Sequence, residues 1–271
     1  MARSTGRSQP DQHRSEPRVS RPDLGLILAS IHQGSSVFLL PGVMDEAVRE
    51  DVNLWCFPGG QLNLADEYER QRNAVYRLAG PAFLDGLISW ASSLGGTVDQ
   101  EAIDAFHDHW LAYPLVTIGY RVEGAPAVIV DAPGGMTAIV SHLIEVHGCR
   151  AIAFMRGPRT HVSADRRYHA YLETLTRHGI KIDERLVTDP LPWEGGEEGG
   201  RQLLDERKLL PAKDFQALVA ASDLLAFGAV RSLQRRGYRI PEDLAATGFN
   251  DITESRLLSP ALTTVSMHFR E

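Results

Sequence analysis

The chain contains 271 residues, which is enough for one large domain or two medium-sized domains with buried cores. Hydrophobic residues make up 43% of it and charged residues 23%, the balance of an ordinary globular protein. A formal net charge of −7 gives no electrostatic reason to expect tight non-specific binding to nucleic acid or to an anionic membrane. The two cysteines, Cys56 and Cys149, are far apart and in no metal-ligand spacing, so we expect two buried, reduced thiols.

Residues 1–23 form the first distinct segment. They are rich in arginine, serine, proline and glutamine and contain almost no apolar side chains. Such a segment buries too little surface to offset the entropy that ordering would cost, so we predict a flexible tail. It lacks the continuous apolar stretch of a secretory signal, and no later stretch is long enough to span a bilayer. We therefore expect the protein to stay in the cytoplasm.

From Leu24 onward, short apolar runs alternate with amphipathic stretches of helical period. Gly148 and Gly179 are placed to end two of the predicted helices, and Ser222 is placed to cap a third. Strands are predicted at 24–29, 53–57, 87–89, 115–118, 128–130, 151–155, 217–220 and 244–247, and helices at 37–50, 66–78, 99–111, 136–147, 164–178 and 223–236.

This alternation indicates an α/β fold of right-handed β-α-β units, with largely parallel sheets that are covered on both faces. Two further strands are expected, one before Trp193 and one at 262–265. About ten strands in all are too many for one small compact sheet, so we predict two successive Rossmann-like lobes. The N-terminal lobe is expected over 24–131 and the C-terminal lobe over 132–260. Residues 261–271 are expected to cross back toward the first lobe.

Three segments make this α/β pattern specific. The first is HLIEVHGCRAIAFMRG at 142–157, a helix, a turn and a strand. The second is SDLLAFGA at 222–229 followed by RRGYRIPEDL at 235–244, and the third is GFND at 248–251 with SPALTTV at 259–265. Together they resemble the sensor domains of the lac-repressor (LacI/GalR) family, which share the type I periplasmic-binding-protein fold. The resemblance runs from about Leu24 to the C-terminus.

The resemblance implies a homodimeric sensor that binds a small polar effector, such as a sugar or a nucleoside, in a cleft between its lobes, without a cofactor. A repressor of this family carries a helix-turn-helix and a hinge helix before the sensor, and the residues before Leu24 match neither. We therefore expect no direct nucleic-acid binding by this chain. The chain stops at Glu271, where family members usually add a helix and a strand, so an uncovered surface is expected near 263–269.

Two functions are compatible with the resemblance. The run FPGG at 57–60, with QRN at 71–73 and LAGP at 78–81, is most similar to sensors that are joined to signalling output modules, such as a kinase or a cyclic-dinucleotide synthase. The first interpretation is therefore a sensing module that signals by lobe closure to an output module. The alternative is the effector-binding and dimerisation core of a DNA-binding transcriptional repressor.

Enzyme chemistry is not indicated by the sequence. A nucleophile elbow, a P-loop and a dinucleotide glycine fingerprint are all missing. The glycine-rich stretch at 195–200 lacks the lysine and the serine or threonine of a phosphate loop. His107 and His109 are two residues apart in a helical pattern, so they point to different faces and do not chelate a metal together.

In this architecture a ligand binds at the carboxyl ends of the strands. Arg167 matches the family arginine that reaches into the cleft, where a planar guanidinium donates paired hydrogen bonds to hydroxyls or to a carboxylate. The alternative is a solvated arginine on the helix surface, which is what we expect of Arg166. Trp193 matches an aromatic position that stacks on ligand in some relatives, the alternative being a ring that only plugs the lobe surface.

Two further candidates lie in the C-terminal lobe. Asp223 begins a helix, where its carboxylate either accepts hydroxyl protons from a ligand or complements the helix dipole. Asn250 lies in GFND, where relatives commonly have aspartate. Because an amide both donates and accepts, this difference argues against a ligand that presents only donor hydroxyls.

The N-terminal lobe supplies the remaining candidates. His32, Gln33 and Phe38 follow the first strand, and Tyr120 follows another strand end. All four are placed for ligand binding, although no motif specifies them. For Phe38 the main alternative is packing in the core.

Overall fold

The computed structural model describes residues 21–32, 34–96 and 98–269, so most of the predicted tail and all of Gln33 lie outside the described residues. The strands in this part of the chain are β1 (Asp23–Leu28), β2 (Asn53–Pro58), β3 (Gly86–Ser89), β4 (Leu115–Ile118), β5 (Ala127–Val128), β6 (Ile152–Met155), β7 (Ala217–Ala220) and β8 (Ala245–Thr247). The helices are α1 (Ser36–Arg49), α2 (Glu67–Arg72), α3 (Ala91–Leu94), α4 (Gln100–His107), α5 (Ala132–Glu145), α6 (Val162–Arg177), α7 (Gly196–Arg201) and α8 (Asp223–Arg235). None of these helices combines the length and the apolar character that a membrane span requires.

The strands form two separate parallel sheets. The first has the order β2-β1-β3-β4-β5, and the second has the order β6-β7-β8. Leu24 is aligned with Leu54 in the first sheet, and Ile152 with Ala217 in the second. Helices connect most successive strands, as parallel pairing requires. The predicted α/β fold with two Rossmann-like lobes is therefore confirmed.

Strand β1 shows how the first sheet is covered on both faces. Leu26 and Leu28 pack on one face with Leu39 of α1 and Trp90. Ile27 packs in a different apolar cluster on the other face. Successive strand residues point to opposite faces, so the unbroken apolar run LIL at 26–28 serves two cores at once.

Helix α7 was not predicted, because its sequence is rich in glycine, which is a poor helix former. Packing against α8 explains why these glycines are needed. A Cβ atom built on Gly196 would lie 2.1 Å from the backbone oxygen of Leu225, and one built on Gly228 would lie 2.6 Å from the backbone nitrogen of Glu197. The two helix backbones therefore touch directly, and the tertiary contact overrides the local preference.

Two sequence predictions are corrected by the fold. The strands expected before Trp193 and at 262–265 are reduced to isolated bridges in the described residues, for example between Thr247 and Thr263. Prolines beside both segments lack the N–H that a longer ladder needs. The prediction of two buried thiols holds for Cys149 and is wrong for Cys56, which is exposed on β2, the edge strand of its sheet.

Candidate functional site

A cleft of about 420 Å³ opens between the two lobes, at the carboxyl ends of both sheets. This volume is in the range of pockets that hold a small organic ligand. The first lobe contributes residues that follow its strand ends, among them Ser30, Gln61, Trp90 and Ser92. The second lobe contributes polar and aromatic side chains, among them His161, Arg166, Arg167, Trp193, Glu194 and Asn250.

Arg167 lies in the second turn of α6 and is only 3% exposed. Its Nη1 donates to the backbone oxygen of Ala221 at 2.6 Å, and its Nη2 lies 3.4 Å from Sδ of Met267. The guanidinium carbon lies 3.8 Å from the centre of the Phe249 ring. Among the described residues, the buried Nε–H has no hydrogen-bond partner. Arg167 thus lines the cleft and has one buried donor unpaired, and its contact with a ligand remains a prediction.

The charge of Arg167 is compensated in part. Burial lowers its pKa to about 9, and the nearby Asp223 carboxylate offsets part of this effect. A group with this pKa is still cationic at neutral pH. The described residues place no carboxylate in direct ion-pair contact with it, so the cleft contains a buried positive charge.

Aromatic rings form a wall of the cleft beside Arg167. Trp193 and His161 meet edge to face, with ring centres 5.0 Å apart. Trp193 also lies over Gly157, where an added Cβ would come within 2.8 Å of the indole. His161 caps α6 and accepts from the backbone N–H of Ala164 at 3.3 Å. Burial and the nearby Arg167 charge lower the pKa of His161 to about 3, so this ring is neutral at physiological pH.

Asn250 and Arg166 also line the cleft. Asn250 has a φ of 120°, a conformation that is strained for a residue with a side chain, and its N–H donates to Val265 at 2.9 Å. Arg166 is exposed, as the sequence predicts, but it does not point away from the cleft. The first turns of α6 enter the cleft, so neighbouring residues on different sides of the helix both reach it.

Asp223 does not line the cleft and is fully buried. Its Oδ2 accepts from the Ile252 N–H at 3.0 Å and from the Ser255 hydroxyl at 2.8 Å. Its Oδ1 accepts from the Thr264 hydroxyl at 2.6 Å. The carboxylate therefore ties the loops after β8 to the start of α8, and its contact with a ligand stays a prediction.

The described candidates of the first lobe, His32, Phe38 and Tyr120, are not among the residues that line the cleft. Tyr120 is buried, its hydroxyl accepts from the N–H of Val162 at 3.2 Å, and it therefore links the first lobe to α6. His32 is exposed and Phe38 is half-buried. Gln33, which lies between them in sequence, is outside the described residues.

Several cleft residues were missed by the sequence analysis. Trp90 directly follows β3, a position that strand ends alone could have indicated. Met267 and Phe269 come from the segment after β8, and Phe269 packs against Trp90 with ring centres 6.2 Å apart. No local signal marks these two residues, because their position depends on how the chain returns between the lobes.

Two parallel α/β lobes with a polar, aromatic-walled cleft at the carboxyl ends of their strands define a fold of the periplasmic-binding-protein type. The family described as periplasmic binding protein-like domain matches residues 140–271. The HTH-type transcriptional regulator CelR of Thermobifida fusca is 35% identical over 150 residues, which are 55% of this chain and 42% of that protein. The chain thus spans less than half of the length of this relative.

Solved structures agree with this similarity. A LacI family transcriptional regulator from Mycobacterium smegmatis is 29% identical with a TM-score of 0.74, over 91% of this chain and 85% of that one. A complex of the transcriptional regulator CelR with cellobiose is 28% identical with a TM-score of 0.72, over 92% of this chain and 74% of that one. These comparisons support a sensor domain of the lac-repressor (LacI/GalR) family. These relatives are transcriptional regulators and not enzymes.

Proposed function

We propose that this chain binds a small polar, sugar-like effector between its lobes and signals to an output module by lobe closure. The lobes already touch beside the cleft, where the Thr160 hydroxyl donates to the backbone oxygen of Gly96 at 3.3 Å. A ligand that contacts both lobes favours the closed arrangement by its difference in affinity for the two states. The cellobiose complex of CelR supports a sugar as the class of effector. A regulator of this kind acts in the cytoplasm.

The observation that carries the proposal is the buried guanidinium of Arg167 in the wall of the cleft. Leaving a buried donor unpaired costs about 1–3 kcal/mol, so a ligand oxygen at the Arg167 Nε would remove a penalty that the free protein bears. The adjacent Trp193 supplies a large rigid surface for the apolar face of a sugar ring.

Binding is expected to depend on both Arg167 and Trp193. A thermal-shift screen with cellobiose and other sugars, nucleosides and amino acids would identify a ligand, which at about 100 times its dissociation constant adds roughly 2.7 kcal/mol of stability. Arg167→Ala is expected to weaken binding by at least about tenfold, because it removes a charge-assisted hydrogen bond. Trp193→Ala is expected to have an effect of similar size. Calorimetry would measure both, with circular dichroism to verify folding.

Arg177→Ala is the matched control for this experiment. Arg177 lies at the exposed end of the same helix and outside the cleft, so its removal should leave affinity unchanged. Equal binding by the Arg167→Ala and Arg177→Ala variants would contradict the placement of the ligand on α6.

The alternative function, the effector-binding and dimerisation core of a DNA-binding repressor, is favoured by the relatives named as transcriptional regulators. The gene sequence on either side of this segment would distinguish the two functions, because it would encode either a helix-turn-helix or a signalling module.

Both functions are compatible with a homodimer. On one face of α1, Val37, Met44 and Val48 are 43%, 52% and 82% exposed, which is typical of an association surface.

A charged substitution on this face of α1 is expected to separate such a dimer. In the double variant Met44→Glu/Val48→Glu, two glutamate carboxylates would lose their water when the interface forms. Burying a charged group without an opposite charge or a hydrogen-bond partner is costly. Sedimentation equilibrium at micromolar concentration should show a dimer for the wild type and a monomer for the double variant. Val146→Glu, an equally exposed apolar position in the other lobe, is the control and should stay dimeric. A monomeric wild-type chain would refute the homodimer.

A further inference from the structure

Two histidines face each other at the carboxyl end of α5. His142 lies in the last turn of the helix, and His147 lies in the turn that follows it. Their Nε2 atoms are 3.1 Å apart, and the two rings meet edge to face with centres 4.9 Å apart. Neither residue is among those that line the interlobe cleft, and His147 is exposed to solvent. The two rings therefore form a separate, accessible pair of nitrogen ligands.

The backbone after α5 explains why residues five positions apart come together. On a continuous helix, the side chains that face each other are three or four positions apart. Here the helix ends first, because Gly148 has a left-handed φ of 68°. The Cys149 N–H then donates to the backbone oxygen of Leu143 at 3.0 Å, so the chain folds back over the last turn of the helix. This reversal places His147 beside His142.

The end of α5 is also fixed by the neighbouring helix. Glu145, one turn after His142, accepts from Nε2 of His178 at 2.8 Å, and His178 lies at the end of α6. Ligands on an anchored segment lose little freedom when they bind an ion, which favours binding. Among the described residues, no third histidine, cysteine or carboxylate completes a metal-binding group with the pair. A metal ion held here would therefore have two protein ligands and bind water in its other positions.

The facing nitrogens have the spacing that one metal ion requires. Two nitrogens bound to the same ion at about 2.0–2.1 Å, in neighbouring coordination positions, lie about 3 Å apart, close to the observed separation. Without an ion, the two Nε2 atoms form a hydrogen bond only if one of them carries a proton and the other does not. A metal ion binds the lone pairs of both. Imidazole suits copper, nickel and zinc, and affinity for these ions generally peaks at copper.

We propose that His142 and His147 form a bidentate site for a divalent transition-metal ion, with Cu²⁺ bound more tightly than Ni²⁺ or Zn²⁺. The ion joins the last turn of α5 to the turn that leads into β6. Because folding brings the two ligands together, binding stabilises the folded C-terminal lobe. The site lies outside the cleft, so it does not depend on the proposed function.

Titration of the full chain with copper, nickel and zinc chlorides, by calorimetry in a buffer that does not bind metals, tests this site. The wild type is expected to bind one Cu²⁺ at the pair, and its melting temperature is expected to rise with Cu²⁺. His142→Gln and His147→Gln should each weaken Cu²⁺ binding by at least about tenfold, because the loss of a group that only supports a metal ligand already costs about 10–100-fold. Electron paramagnetic resonance of the Cu²⁺ complex should show two coordinated imidazole nitrogens in the wild type and not in either variant.

His109→Gln is the matched control, because His109 is an exposed histidine of the other lobe. This variant should keep the wild-type affinity and spectrum. Circular dichroism would verify that all variants fold, and His147→Gln puts folding least at risk because the side chain is exposed. If His142→Gln and His147→Gln bind Cu²⁺ as tightly as the wild type, or if the wild type does not bind it, the site is refuted. Half an ion per chain, with a doubled mass on metal addition, would show that the histidines join two chains and would overturn the bidentate site.

Discussion

Replacement of Asp223 by alanine is expected to lower the free energy of unfolding by about 3–5 kcal/mol. The carboxylate is fully buried and accepts hydrogen bonds from the Ile252 N–H and from the Ser255 and Thr264 hydroxyls. Alanine leaves all three donors without an acceptor and creates a cavity among them. Because each unpaired buried donor costs about 1–3 kcal/mol, the effect is large even after partial relaxation.

Urea denaturation followed by circular dichroism would measure this loss. Asp108→Ala is the control, because Asp108 is an exposed acid at the start of a short helical turn and its replacement should stay within about 0.5 kcal/mol. Asp223 also ties the segment that carries Thr264 to α8, so ligand affinity should fall along with stability. If Asp223→Ala is as stable as wild type but no longer binds ligand, the carboxylate acts in the cleft and its internal role is wrong.

Replacement of Gly228 by alanine is expected to destabilise the C-terminal lobe by about 2–4 kcal/mol, which is at or above the usual cost of overpacking. An added Cβ would lie 2.6 Å from the Glu197 nitrogen and 2.7 Å from Cα of Gly196. These are backbone atoms, so no side-chain rotation relieves the clash and α7 has to move away from α8. The higher helix propensity of alanine offsets only about 1 kcal/mol of this cost.

Gly80→Ala is the matched control, because no atom lies within 4 Å of a Cβ at that position. Its free energy of unfolding should be unchanged or slightly higher, since alanine reduces the freedom of the unfolded chain. Thermal unfolding monitored by calorimetry would compare the two variants. A Gly228→Ala protein that is more stable than the Gly80→Ala protein would show that α7 and α8 do not pack through their backbones.

Part of the site could be predicted from the sequence alone. Arg167 and Trp193 were found because motifs around them match the family pattern, and both line the cleft. Asp223 and Tyr120 were also expected to bind ligand, but they are buried and form contacts within the protein. The sequence places a polar residue after a strand, but whether that residue meets solvent or an internal donor depends on chain segments far away in sequence.

The alternation of apolar runs and amphipathic stretches determined the two α/β lobes and nearly all of their strands, because strand and helix periods are local properties. Tertiary structure decided what has no local signal. The glycine-rich α7 is helical because α8 packs against its backbone. Met267 and Phe269 reach the cleft because the chain returns between the lobes. These features depend on contacts between distant segments, which only folding brings together.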